Sequence, residues 1–499
     1  MRTTRAILVL MGVYLVALAG LSLNRVMFQD APIMLYAAFL IDQKHLVPYR
    51  DFFDSNMPGI YFVNILVGRL SGYTEIGVRL VDLLSLCALL GSTFLAMRRF
   101  GRQVAWCATI SVGLLYLASG EWMSLQREYF GLLTTAAALA IVLTRGLAPW
   151  IKAAASGVLV GMAMTMKPQA VLVLPALFVF IWVEAGRHRP ARPRGALAVA
   201  TAAGLAVPLG LMLLYLWRNQ ALRPFADMVR HYWPLYNELS GSRPHYVLPA
   251  GSRLSYHLGH ALMFGIHPGL PLLAAASVGF AVSWRGGAFS DQDRNIVRLL
   301  IGLIGGAWAA VAVAGKFWPY HWLPFNYFAI LLASLALVEP RIATARRGAT
   351  VAAMFLLLGI GLPWRVVPFW RPFDFPFARV QEISSYLEQH LAPGDTVAPL
   401  DWTEGAAHAM LIARAPLGMP FLYDFHFYHH VSSPYVRQLR QRLLDSFAAS
   451  PPRFVIRVPR LAFAGPDTSM AFPELDRFLS ARYEKAVDGQ GYEIWQRRE

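Results

Sequence analysis

Long apolar runs broken by short polar segments make up the first 362 residues. A helix that crosses a membrane needs roughly 20 mostly apolar residues, with about 17 as a lower limit. Windows of that kind fall at about 6–23, 77–97, 103–119, 129–145, 151–166, 169–185, 195–217, 257–284, 296–315, 323–338 and 348–362, which predicts eleven spans. After residue 362 the pattern changes. An amphipathic stretch over 378–391 stops at Pro393-Gly394, and Phe454-Val455-Ile456-Arg457-Val458 after Pro451-Pro452 reads as a buried strand. Helices near 405–414, 434–448 and 473–480, then Tyr492-Glu493-Ile494-Trp495, complete a small α/β pattern. The expected architecture is an all-α polytopic membrane bundle over 1–362, with a first long loop at 24–76, and a separate α/β domain over 363–499. Gly157 with Gly161, and Gly302 with Gly305 and Gly306, supply small-residue surfaces for close helix packing.

Composition agrees. Hydrophobic residues are 56% of the chain and charged residues 15%, against roughly 25% charged in a soluble domain, which excludes a soluble enzyme and a disordered scaffold. Cys87 and Cys107 both lie in apolar runs and read as core hydrophobes, so there is no disulfide framework or thiolate metal site. The net charge of +16 is a topology record. Alternate short loops hold 17 Lys and Arg residues, from Arg2 and Arg5 through Arg98, Arg99, Arg102, Arg145 and Lys152 to Arg341, Arg346 and Arg347. Positive loops stay on the cytoplasmic side, which predicts a cytoplasmic N-terminus and an extracytoplasmic 363–499 domain. The first span carries Ala17-Leu18-Ala19, like a signal-peptide cleavage site, but its apolar run is longer than the usual signal core and reads as an uncleaved anchor. Residues 363–499 hold 15 basic and 15 acidic residues, so the excess lies in the membrane region and implies no nucleic-acid partner.

Acidic residues beside a membrane are functional candidates by default. Ten of the 14 before position 363 map to the outer side: Asp30, Asp42, Asp51, Asp54, Glu75, Asp82, Glu121, Glu128, Asp227 and Glu238. Asp30 follows the first span closely and precedes Tyr36 on a short predicted helix. A carboxylate there is placed to accept a proton from a hydroxyl nucleophile, and equally to cap a helix beginning Asp30-Ala31-Pro32. The stretch Val47-Pro48-Tyr49-Arg50-Asp51-Phe52-Phe53-Asp54-Ser55-Asn56-Met57-Pro58-Gly59-Ile60-Tyr61 gathers aromatics, two carboxylates and an arginine, as a site for an amphipathic lipid headgroup requires. An interfacial aromatic belt explains the aromatics but not their order.

This order resembles the first outer loop of GT-C glycosyltransferases, most of all bacterial relatives of protein mannosyltransferases and lipid A aminoarabinose transferases. Gln126-Arg127-Glu128-Tyr129, Met166-Lys167-Pro168-Gln169 and Pro319-Tyr320-His321-Trp322-Leu323-Pro324 extend the likeness, as does Pro451-Pro452-Arg453-Phe454 in the last domain. The resemblance implies a polyprenyl-phosphate sugar as donor, membrane lipids as surroundings, and an envelope glycan, lipid or protein as acceptor at a bacterial inner membrane. It implies Asp30 as catalytic base. Carried over residue by residue, it makes Arg127 and Lys167 the leading phosphate partners, with Arg50, Arg79, Lys316 and His321 behind them. Glu128 would orient Arg127 or hold the acceptor, and Tyr36, Tyr49, Asp51, Asp54 and Glu121 complete the substrate-binding set. Some relatives use a divalent metal beside the aspartate, which leaves a metal open. Relatives often carry a basic residue before two prolines where this chain has Asn56-Met57-Pro58, so one phosphate ligand is missing, and Arg50 or Lys44 is placed to substitute.

Other signals carry less. Asp291-Gln292-Asp293 resembles a nucleotide-sugar DxD motif but sits in a short inner loop, and there is no GxxxxGK[ST] phosphate loop. His426, His429 and His430 have ligand-like spacing, yet Phe425, Phe427 and Tyr428 among them suggest a packed aromatic segment. A secondary transporter or flippase is the alternative function. It would show two related halves with interrupted helices rather than carboxylates collected in one loop.

Overall fold

The structure, a computed structural model of the chain, describes residues 2–186, 194–241, 245–266, 268–285, 289–338, 375–459 and 462–499, with a few positions between 350 and 358. In chain order its helices are α1 (Arg2–Ser22), α2 (Asp30–Lys44), α3 (Gly59–Ser71), α4 (Glu75–Met97), α5 (Arg102–Ala118), α6 (Arg127–Leu143), α7 (Pro149–Met166), α8 (Leu174–Ala185) and α9 (Arg194–Arg218). They continue as α10 (Leu222–Asn237), α11 (Arg253–Leu262), α12 (Gly269–Arg285), α13 (Asp291–Ala314) and α14 (Leu323–Ser334), then α15 (Phe375–His390), α16 (Ala406–Ile412), α17 (Pro434–Ala449) and α18 (Pro473–Arg482). The chain divides into two compact units. One comprises residues 1–25, 79–212 and 256–369, the other 26–78, 213–255 and 370–499.

The first unit is helical. Among the described residues six helices are long and apolar enough to cross a membrane: Arg2–Ser22, Glu75–Phe100, Pro168–Ala185, Gly195–Arg218, Asp291–Ala314 and Pro319–Leu337. α5, α6 and α7 occupy three further expected spans with 17, 17 and 18 residues. The single span expected at 257–284 is instead two helices, α11 and α12. Phe264, Gly265 and Ile266 all take positive φ and end the first, just before His267-Pro268-Gly269, a turn signal that the expected span ran through. The eleventh expected span, 348–362, lies for the most part outside the described residues.

The glycines set how closely these helices approach. A Cβ on Gly157 would stand 2.2 Å from the Thr201 carbonyl oxygen, and one on Gly161 2.6 Å from Pro208 Cγ, so α7 and α9 meet backbone to backbone. On α13, a Cβ on Gly306 would lie 2.3 Å from the Leu172 carbonyl oxygen. Leu172 belongs to the 3₁₀ stretch Pro168–Val173, which begins directly after Lys167. Gly306→Val should therefore displace that stretch and cost about 1–3 kcal/mol, read as a lower thermal midpoint of the detergent-solubilised chain.

The second unit joins the first long loop and the 213–255 loop to residues 370–499 rather than splitting at 362/363. The reason is a set of specific ties. Phe53 N–H donates to the Pro420 carbonyl at 2.9 Å, and the Glu75 carboxylate pairs with His408 while accepting from Met27 N–H at 3.0 Å. Its sheet runs β1 (Val397–Leu400), β2 (Phe454–Arg457), β4 (Tyr492–Arg497), β3 (Tyr483–Gly489), with β1 parallel to β2 and the other pairs antiparallel. The expected strand at 454–458 and the expected helices appear as β2, α15, α16, α17 and α18. The histidines are packed among aromatics. His426 stands edge-on to Phe53 and Tyr232, and both His426 and His429 share hydrogen bonds with the Tyr232 hydroxyl.

Candidate active site

At the head of α6 the chain turns through Leu125, whose positive φ of 54° is costly for a branched side chain, and Gln126 is extended. Arg127 and Glu128 then form the first helical turn, where an acidic residue is favoured by the helix dipole. Lys167 closes α7, and Pro168 prevents the helix continuing. Phe317, again at positive φ (55°), precedes the 3₁₀ turn Pro319–Trp322 that carries His321 into α14. These three breaks bring Glu128, Lys167 and His321 together. Lys167 Nζ forms an ion pair with Glu128 Oε1, and His321 Nε2 stands 3.1 Å from the same oxygen. Only 3% of the Glu128 side chain and 4% of the His321 side chain are exposed. Lys316 is close enough to act on His321 electrostatically.

Arg127, Glu128, Lys167, Gln169 and His321 line one pocket of about 50 Å³, floored by Ala163, Ala307 and Val311. At roughly 10–15 Å³ for each water-sized group, it has room for about four, the number of oxygens on a phosphate. Glu128 Oε2, His321 Nδ1 and Gln169 Oε1 are buried without a hydrogen-bond partner among the described residues. Buried polar atoms are normally paired, so orphans collected in one pocket mark a place for a polar ligand.

Ser124, three residues before Arg127, belongs to a polar network. Ser124 Oγ accepts from Arg79 Nη1 at 2.6 Å and donates to Asp82 Oδ2 at 2.7 Å, while Tyr116 also donates to Asp82. Arg79 Nε reaches the Arg25 carbonyl at 2.9 Å, and Arg25 Nη2 the Leu117 carbonyl at 2.7 Å. Arg79 is thus anchored within the protein. Glu121 is half-buried in the 3₁₀ turn Glu121–Met123, where its charge acts on Arg25.

In the other unit Asp30 opens α2 and is half-buried. The cap position belongs to Gln29, at φ 54°, whose side chain makes no capping hydrogen bond, and Asp30 is the first residue of the helix. Tyr36 is a buried strut, donating to the Ala415 carbonyl at 2.9 Å. Tyr49 is buried at positive φ and donates to the Asn56 carbonyl. Arg50 forks onto Asp51 at 2.8 and 2.9 Å, and that guanidinium holds the Asp51 carboxyl below the usual carboxylate range. Asp54 is fully buried and accepts from Tyr61 OH and Tyr423 OH at 2.6 Å each, from Asn56 Nδ2 at 3.0 Å, and from Ser55 N–H. Its lone pairs are occupied, which makes it a loop hub. No group of three or more His, Cys, Asp or Glu among the described residues is arranged to hold a metal ion.

No family model and no characterised protein sequence matches the chain. Two solved structures match it almost end to end. ArnT from Cupriavidus metallidurans in the apo state aligns at 14% identity and TM-score 0.64, covering 98% of this chain and 97% of that chain. The same protein bound to undecaprenyl phosphate aligns at 14% identity and TM-score 0.63, with the same coverage. The chain has the fold of ArnT.

Several residues that organise this fold were not marked by the sequence. Gln169 sits in the Lys167 motif, and its orphaned buried oxygen is the signal that identifies it. His408 and Tyr423 lie more than 300 positions from their carboxylate partners Glu75 and Asp54, beyond the reach of any local pattern. Asp54→Ala strips the acceptor from two buried tyrosines and an asparagine, and should destabilise the chain by about 3 kcal/mol or more. Tyr423→Phe removes one donor of several and should cost only about 1 kcal/mol, a contrast that thermal melts of the two variants check.

Proposed function

We propose that the chain is an integral-membrane inverting glycosyltransferase. It moves a sugar from a polyprenyl-phosphate donor to an envelope glycan, lipid or protein acceptor on the outer face of a bacterial inner membrane. The observation that carries this reading is the fold shared with ArnT over 98% of the chain, a fold that in one structure of ArnT holds undecaprenyl phosphate. The pocket around Glu128 supports it with chemistry suited to an anionic headgroup.

In the proposed reaction the Asp30 carboxylate takes the proton of an acceptor hydroxyl. The freed oxygen attacks the anomeric carbon, and the bond from that carbon to the lipid-phosphate oxygen breaks with its electron pair. Arg127 and Lys167 hold the departing phosphate, with Lys316 and His321 behind them. Cations in a water-poor pocket stabilise the developing charge more than they would in bulk water. Glu128 keeps Lys167 and His321 in place between turnovers.

Asp30→Asn should lower transfer by about 10²–10⁴-fold while the protein still inserts and folds; wild-type turnover in that variant would remove the base assignment. Arg127→Ala should raise the donor KM and leave the acceptor KM unchanged, measured with purified chain and a panel of polyprenyl-phosphate sugars. Burial pushes the Lys316 ammonium down to about 7, and a bound phosphate favours its charged form. The donor KM should therefore increase as pH rises through about 7, and Lys316→Arg, charged throughout, should flatten that profile.

A further inference from the structure

α6 and α7 run from the pocket at Arg127 and Lys167 to a second cavity at their other ends, about 25 Å along the helix axis. This cavity has a volume of about 380 Å³. Arg99, Arg145 and Lys152 supply its cations, and Leu143, Phe180 and Ile181 its apolar wall. The reaction proposed above uses none of them.

The cations are poised rather than consumed. Arg99 gives Nη2 to Asp293 Oδ1 at 3.0 Å, but its Nε is buried with no hydrogen-bond partner among the described residues. Arg145, at the exposed tip between the two helices, makes no hydrogen bond or ion pair among the described residues. Lys152 Nζ donates to the Val142 carbonyl at 2.8 Å, which points the ammonium toward the same rim. The one carboxylate in the lining, Glu184, is engaged by Gln292 Nε2 at 2.9 Å and approached by Asn295 Nδ2 at 3.5 Å. Among the described residues these three cations face two carboxylates, Glu184 in the lining and Asp293 on Arg99, which leaves a positive excess. Insertion asks only that positive charge lie near the helix ends, a need that exposed Arg98 meets without any cavity. A basic cavity between helices on the cytoplasmic side, with an apolar wall beside it, has the chemistry that binds anionic lipid headgroups.

We propose that this cavity binds a phosphate group, with Arg99 Nε, Arg145 and Lys152 as donors, and with Phe180 and Ile181 seating the glyceride chain when the phosphate belongs to a phospholipid. The full chain in neutral detergent, titrated with dioctanoyl phosphatidylglycerol, dioctanoyl phosphatidylcholine or inorganic phosphate, tests this through its thermal midpoint. Phosphatidylglycerol should give a saturable rise that phosphatidylcholine does not. The double variant Arg145→Gln/Lys152→Gln should weaken the apparent affinity about thirtyfold, Lys152→Arg should keep it, and Arg98→Gln should leave it unchanged. An equal rise with inorganic phosphate, lost in the double variant, assigns the same site to free phosphate. The proposal fails if no phosphate ligand shifts the wild-type midpoint. It also fails if the double variant binds as tightly as wild type, or if Arg98→Gln weakens binding as much as the double variant does.

Discussion

A carboxylate withdrawn from water in a membrane protein must be matched by cations held in place, because its desolvation costs several kcal/mol. Glu128 sets that constraint for the helical unit. Lys167 and His321 both converge on its Oε1, and neither comes from a neighbouring part of the chain. To deliver them, α7 has to stop at Lys167, α6 has to start after a strained Leu125, and the chain has to bend at Phe317 before α14. Gly306 lets α13 lie directly on the backbone that follows Lys167. Helix ends, strained turns and the glycine contact are parts of one arrangement around a single buried charge.

The second unit meets a comparable demand differently. Asp54 is equally withdrawn from water, yet it is surrounded by hydroxyl, amide and backbone donors instead of cations. A carboxylate satisfied in that way rigidifies a loop and has no lone pair left for a ligand. Glu128 keeps one oxygen buried and unpartnered among the described residues. That difference, more than position in the chain, separates a structural acid from one beside a binding pocket.

Much of this was legible in the sequence, and the limits are physical. Apolar runs give membrane helices because hydrocarbon tolerates little else, so α1, α4, α9 and α13 lie where the pattern puts them. The same pattern ran through the break between α11 and α12, where three consecutive positive-φ residues precede His267-Pro268-Gly269, a turn signal outweighed by the apolar residues on either side. In the α/β part, buried β2 was readable, whereas β3 was not. β3 exposes Glu484, Lys485 and Ala486 and lies at the edge of the sheet, so its composition follows solvent and not a core. Among site residues, Arg127, Glu128, Lys167 and His321 were found as separate motifs and meet in one cluster. Tyr36 and Asp54 are each held by a partner remote in sequence, Ala415 and Tyr423, which no local pattern could show, while Tyr49 bonds to nearby Asn56.

The charge excess of the membrane region contains two physically different populations. Exposed arginines such as Arg98 need no counter-charge, since water screens them. Arg79, 2% exposed, and Lys316, 5% exposed, are different, because a buried cation without a counter-charge would be neutralised or expelled. Arg79 has Asp82 beside it. Lys316 acts electrostatically on His321, which lines one pocket with Arg127, Glu128 and Lys167, so it is buried beside polar and charged groups and not in hydrocarbon. A cation buried among such groups is held by the protein's own polar and charged neighbours, whereas one at a loop tip is held by water alone.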